Sequence, residues 1–216
     1  MNNKNILGLV LVALVVFGSW YFLSQNSVSG EVVAIVNGEK ILNSEYQSLR
    51  SQISNQQGLD LANIDEKTSS ELQKYVVDSL VSKVLLKQAV EKSDISVSDE
   101  DVKGRVETIK GQFEDNAGYE KALSDNGITE KDLLSQIKEE IAVQSYLEKE
   151  LTLSSIKISD SEAKDAYDKV AGTQEVPPFE EVKSQIENSL MQEKQMVLIN
   201  GLIDKLKTSA EIEVLI

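Results

Sequence analysis

Apolar positions alternate through Val33 and Ile35 and return in the pair Ile41 and Leu42, flanking Asn37-Gly38-Glu39-Lys40. Asn-Gly is favoured where a tight hairpin needs positive φ, so this stretch predicts a β-hairpin. Ser44 is placed to cap a helix running to about Ser54, with Gln47 three residues on to close a capping box. The segment QQGLDLANID breaks the helical repeat and reads as a loop. From about Ser69 to Lys92, Leu72, Val76, Leu80 and Val84 form one stripe, and Val77, Val81 and Leu85 widen it, which predicts a helix buried on more than one side.

Ser98 opens a further helix with three acids in its first turn and a narrow stripe of Val102, Val106, Ile109 and Phe113. The segment DNAG breaks that pattern, a short helix spans about Tyr119 to Ser124, and Asn126-Gly127 stops it. Thr129 caps a long helix to about Leu151 lined by Leu133, Ile137 and Ile141, and Ser159 caps another to about Val170. The stretch AGTQEVPP holds both prolines of the chain and is the candidate internal linker.

Pro178 suits the first turn of a last helix ending near Lys207. Val182, Ile186 and Leu190 stripe its first half. Leu198, Ile199, Leu202, Ile203 and Leu206 gather on a second face of its second half, which predicts that this half sits deep in the core. The closing EIEVLI is short and β-branched and reads as a strand. Its natural mate is the opening hairpin, because a lone two-stranded ribbon is marginal in water. The class is mainly α with a small sheet.

The start of the chain differs from the rest. Ile6 to Leu23 carries no charged side chain and as a helix covers roughly 27 Å, close to a bilayer's hydrocarbon thickness. Trp20 and Tyr21 lie near its end as interfacial aromatics do, and the run exceeds the h-region of a signal peptide. An uncleaved transmembrane anchor is the favoured reading; the alternative is a signal peptide cut near Ser29, since Ser27 and Ser29 precede Gly30. Lys4 lies before the span and Glu31 is the first charge after it, so the positive-inside rule puts the N-terminus in the cytoplasm and the bulk of the chain outside.

Beyond the span stand 36 acidic against 21 basic residues, a net charge of −15. Without clustered Lys and Arg, nucleic acid is excluded as a partner, and the same charge holds the exported part off an anionic lipid surface. Gly104 and Gly111 have neither the spacing nor the preceding strand of a phosphate-binding loop, so no nucleotide is expected. The 216 residues include no cysteine and no histidine. The fold cannot be stapled by disulfides, and triads or metal sites that depend on His are excluded; no cofactor or metal is expected.

Four passages, in order, carry a family resemblance. VVAIVNGEKILNSEY resembles an opening strand, NGE turn and helix start; YVVDSLVSKVLLKQAVEKSDISVSDEDV resembles a Leu-rich helix followed by a capped one. GYEKALSDNGITEKDLLSQIKEEI has an LxxxGITExDL phrase, and PPFEEVKSQIENSLMQEKQ with AEIEVLI resembles a terminal helix and strand. Together they resemble the SurA, PrsA and PpiD group of extracytoplasmic chaperones over nearly all of residues 32–216.

The resemblance implies a SurA-like, trigger-factor-like helical chaperone module of the bacterial envelope that binds unfolded or partly folded exported proteins. Many members insert a parvulin-type prolyl isomerase domain before the Pro-Phe-Glu-Glu-Val helix. Here only the few residues after Val170 fill that position, and the histidines and Cys or Asp partner of a parvulin site have no counterpart in a chain without His or Cys. The expected division is 1–29 anchor and short linker, then 30–216 chaperone domain, the latter made of 30–170, a linker 171–178 and a completing helix and strand 179–216.

The function so implied is an ATP-independent holdase, membrane-anchored and without catalysis. Two other readings are a tethered helical adaptor for one fixed envelope partner and a prolyl isomerase. Phe113, Tyr119 and Tyr146 are the candidate client contacts, because aromatic rings give large contact area at low entropic cost; core packing is the competing role, above all for Phe113. Met191 and Met196 flank the last helix's stripes and serve either an adaptable surface or gap filling. The clusters Asp99-Glu100-Asp101 and Glu139-Glu140 read as a helix start and a solvated helix flank rather than as metal ligands or paired acids.

Overall fold

The computed structural model describes residues 30–172 and 176–216. The apolar run Ile6 to Leu23 lies outside the described residues, among which no helix is long and apolar enough to cross a membrane. The expected hairpin is present as β1 (Val32–Val36) and β2 (Glu39–Leu42), paired antiparallel, with Asn37 at φ 50° and Gly38 at φ 84° forming the turn. The closing segment forms β3 (Ile212–Val214), antiparallel to β1 in the order β2-β1-β3, with Val36 opposite Ile212 and Ala34 opposite Val214.

The turn does more than reverse the chain. The Asn37 N–H donates to the Glu211 carbonyl at 2.8 Å and its Oδ1 accepts from the Glu211 N–H at 2.9 Å. Its Nδ2 donates to Gln88 Oε1 at 2.7 Å, and Gln88 Nε2 donates to the Val36 carbonyl and to Glu39 Oε2. The turn residues are thus pinned to both the C-terminal segment and a helix 51 positions away in sequence.

Among the described residues, seven α-helices follow β2 in chain order, with a single 3-10 turn at Leu153–Ser155. The first, α1 (Asn43–Gln57), starts one residue before Ser44, so the expected cap is corrected: Leu42 holds the cap position and the Glu45 carboxylate accepts its N–H at 2.8 Å. The reciprocal side-chain bond of a capping box is impossible because leucine has no acceptor. Helix α2 (Glu66–Glu91) begins before Ser69, where Asp65 accepts the Thr68 N–H at 3.0 Å. Both expected stripes of α2 are buried.

Next come α3 (Asp99–Lys110) and α4 (Asn116–Asp125), capped by Ser98 and Asp115. Two expectations are corrected here. Phe113 lies beyond the end of α3, and the segment DNAG starts a helix rather than only breaking one, since Asp115 Oδ1 accepts the Gly118 N–H at 2.8 Å. Helix α5 (Glu130–Leu151) opens on Thr129 with Asp132 closing the box, and α6 (Asp160–Ala171) opens on Ser159 with Glu162. Helix α7 (Phe179–Thr208) has Pro178 at its cap position, one residue ahead of the first turn expected for it.

Two separate cores result. Val33, Ala34, Val36 and Ile41 of the sheet, Tyr46 and Ile53 of α1 and the double stripe of α2 form the first, with Leu206, Ala210 and Ile212 packed against it. Val102, Val106 and Ile109 of α3, Tyr119 of α4, and Leu133 and Ile137 of α5 form the second. Helix α7 belongs to neither over most of its length. The expectation that its second half is deep in the core is corrected, since no residue of α7 is buried. Its second apolar face is wider than the first core can cover, and only the end at Leu206 reaches it.

Candidate client-binding surface

Helix α7, at 30 residues, is about 45 Å long. Near its start it is braced by α6: Lys183 Nζ meets Asp160 at 2.7 Å, Lys194 Nζ meets Glu162 at 2.5 Å, and Tyr167 packs edge-on against Phe179 with centroids 5.4 Å apart. The Tyr167 hydroxyl donates to the Pro177 carbonyl at 2.9 Å, and Ala163 is fully buried, so the two helices form a close pair. Near its other end Lys207 faces Asp78 of α2 at 3.5 Å and Leu206 packs on the first core.

Between these two braces lie Met196, Val197 and Leu198, exposed by 61%, 64% and 40%. Scattered apolar residues on a surface are ordinary, but three in succession on a helix anchored at both sides expose apolar area that the fold leaves uncovered. Val214 at the end of the edge strand β3 and Leu215 and Ile216 after it are also about half exposed. Among the sequence-predicted residues, Met196 is on this surface and Met191 is half-buried beside it.

The three candidate aromatics are elsewhere. Phe113 and Tyr119 meet edge-on at 5.8 Å in the second core, with Tyr119 buried and Phe113 partly so. Tyr146 is buried and lines a cleft of about 740 Å³ where the Asn37 turn, the end of α2, α5 and the end of α7 converge. Leu85, Ala89, Leu206 and Ala210 supply its apolar wall, and Lys149 paired with Asp94 stands on its rim. Burial raises the pKa of both tyrosines, so each stays a neutral hydroxyl across the physiological range.

The sequence reading missed a charged junction between the two cores. Lys83 of α2 lies between Glu45 of α1 and Glu139 of α5; burial pulls the lysine pKa down and pushes both glutamates up, and mutual attraction only partly offsets it. Glu140 pairs with Arg105 of α3 at 3.2 Å. The solvated flank expected at Glu139-Glu140 is therefore corrected: both carboxylates face neighbouring helices. The position of Lys83 directly before Val84 and Leu85, within the double apolar stripe of α2, was the available signal. Asp99-Glu100-Asp101 is a helix start as expected, with Ser98 and Asp101 bonded reciprocally.

A two-core helical module whose first and last described strands share one small sheet matches known proteins. The sequence profile of the SurA-like N-terminal domain covers residues 2–147. The chain belongs to that family. Within the SurA-like group, it is 33% identical over 153 residues to the foldase protein PrsA of Caldanaerobacter subterraneus subsp. tengcongensis, covering 67% of this chain and 44% of that protein. It is 29% identical over 186 residues to the PrsA of Clostridium perfringens, covering 78% and 52%. The periplasmic chaperone PpiD of Haemophilus influenzae is 31% identical over 138 residues, covering 59% and 22%.

This SurA-like chain therefore spans about half the length, or less, of the curated relatives it matches. Its fold also matches a solved structure from work on PEB4 and Cj1289, two structurally related SurA-like chaperones of Campylobacter jejuni. The TM-score is 0.54 at 12% identity, covering 86% of this chain and 99% of that one.

Proposed function

We propose that this SurA-like protein is a membrane-anchored, extracytoplasmic chaperone that holds unfolded or partly folded exported polypeptides, without ATP and without catalysis. The observation that carries this reading is α7: a long helix with no buried residue and with Met196, Val197 and Leu198 presented between two braces. An unfolded client offers the apolar side chains that such a surface lacks, and burying them is favourable at about 25 cal/mol per Å². The flexible side chain of Met196 suits a surface that must take many sequences.

The exported part's charge of −15 keeps it dispersed while it holds an aggregation-prone partner. The division into anchor 1–29 and chaperone domain 30–216 fits the packing of Leu206, Ala210 and Ile212 on the first core, which joins the C-terminal segment to the N-terminal one. Between α6 and α7 only residues 172–178 intervene, leaving no room there for an isomerase domain.

The test uses the full chain in lipid nanodiscs with a chemically denatured model client. Suppression of client aggregation near a one-to-one ratio, unchanged by ATP, is expected, together with no acceleration in a proline-peptide isomerisation assay. Failure to suppress aggregation rejects the holdase; isomerisation well above the uncatalysed rate rejects the absence of catalysis. A single dominant partner in native pull-downs would favour the tethered adaptor.

A further inference from the structure

A second cleft, of about 610 Å³, opens between the end of α3, α4 and the start of α5, lined by Tyr119, Leu123, Ile128, Lys110, Glu120 and Glu130 among others. Its base holds an anomaly: the Tyr119 side chain is 97% buried by residue, at 3% exposure, and its hydroxyl has no hydrogen-bond partner. A buried hydroxyl is ordinarily paired, and an orphaned one asks for a reason. Phe113 fixes the ring edge-on from one side. Lys110 Nζ lies 4.8 Å from the ring centroid and is itself held by Glu130 at 2.9 Å.

The hydroxyl feels both Lys110 and Glu130, which places it at the cleft's charged end, and burial keeps it protonated as a donor. The Lys110–Glu130 pair is partly exposed and therefore weak enough to be displaced. Leu123 and Ile128 supply an apolar wall, and Lys110 against Glu120 and Glu130 leaves the lining net acidic, in line with the chain as a whole.

We propose that this cleft is a peptide subsite for cationic, apolar client segments, in which the Tyr119 hydroxyl donates to a backbone carbonyl of the segment while its apolar side chain rests on Leu123 and Ile128. The site rests on the chaperone reading above and gives it a chemical preference. An entering segment moves Lys110 aside, and its own positive charges take the place of the ammonium beside Glu130. The extended backbone supplies the acceptor that the folded protein withholds.

The experiment measures binding of two dye-labelled peptides, alternating Leu-Lys and alternating Leu-Glu, to the full chain in nanodiscs of zwitterionic lipid, and the Tm of wild type and Tyr119→Phe. The substitution should leave Tm unchanged or raise it, since it removes an unpaired hydroxyl, yet weaken Leu-Lys binding by about five-fold or more. The Leu-Glu peptide should bind at least about ten-fold more weakly than Leu-Lys at low salt. Wild-type affinity in Tyr119→Phe, a lowered Tm, or equal binding of the two peptides overturns the subsite. Tyr119-dependent peptide binding by a chain that fails to suppress aggregation leaves the subsite standing and rejects the holdase, so the two failures are distinguishable.

Discussion

At the scale of single residues, Asn37 carries more of the fold than its place in a turn implies. It occupies the left-handed region at φ 50°, accepts the Glu211 N–H and donates to Gln88. Asn37→Ala loses both side-chain bonds and places a Cβ-bearing residue without local hydrogen bonding in that region. The expected loss is about 2 kcal/mol, read from urea unfolding. Asn37→Gly should recover the backbone share only, so its stability should fall between the two; an Ala variant as stable as wild type would show that the clamp contributes nothing.

The junction at Lys83 gives a pH dependence with a definite sign. Glu139 faces Lys83, Lys87 and Glu91 of α2, and Glu45 faces Lys83 and Lys87 with Glu39 of β2. Both carboxyls have folded-state pKa values above 4.5, so the folded state binds their protons more tightly than the unfolded one. Their ionised forms cost stability at neutral pH, and that cost is relieved as pH falls through the folded values towards 4.5. Lys83 acts at the alkaline end, where stability is gained as pH rises through its depressed value towards 10.5. Relative to wild type, Glu139→Gln should gain Tm at neutral pH and lose that advantage as pH falls towards 4.5; a Tm difference that does not change with pH would remove Glu139 from the junction.

At the scale of elements, α6 and α7 behave oppositely to that junction on acidification. Glu162 is held at a pKa of about 2 by Lys194 and by the Ser159 cap. Its contribution is complete above 4.5 and is lost only as pH falls through about 2, so the brace survives where the carboxyls at the junction protonate. The surface between the braces is then available at mildly acidic pH. Replacing Met196 and Val197 together by Lys should leave Tm nearly unchanged, since neither is buried, while raising several-fold the amount of protein needed to suppress aggregation. Equal potency would move the client surface away from α7.

The same elements show what the sequence makes legible. The hairpin, the double stripe of α2 and the capped starts at Ser98, Thr129 and Ser159 follow from local patterns that the structure retains. The pairing of β3 with β1 follows from the marginal stability of a lone hairpin. The burial of α7 was not legible. An apolar face predicts a partner but not whether the fold supplies it, and here the first core is already filled by α2 and the sheet. For the same reason the aromatic positions do not reveal their own exposure, since Tyr119 and Tyr146 lie on faces that other helices cover.

At the scale of the whole molecule, two modest cores are joined through a half-buried charged junction, and one long helix without a buried residue reaches the first of them only at its end. The cores hold the fold, while Met196, Val197 and Leu198 of α7 face solvent. The central claim is that unfolded clients lie on α7 between its braces. A photo-reactive amino acid at position 197 of the full chain in nanodiscs tests this placement, with exposed position 100 at the start of α3 as reference. Strong cross-linking to a denatured client is expected at 197, little at 100, and little at either with the same client folded; equal labelling at both positions, or none at 197 while aggregation is still suppressed, would show that clients do not lie on α7.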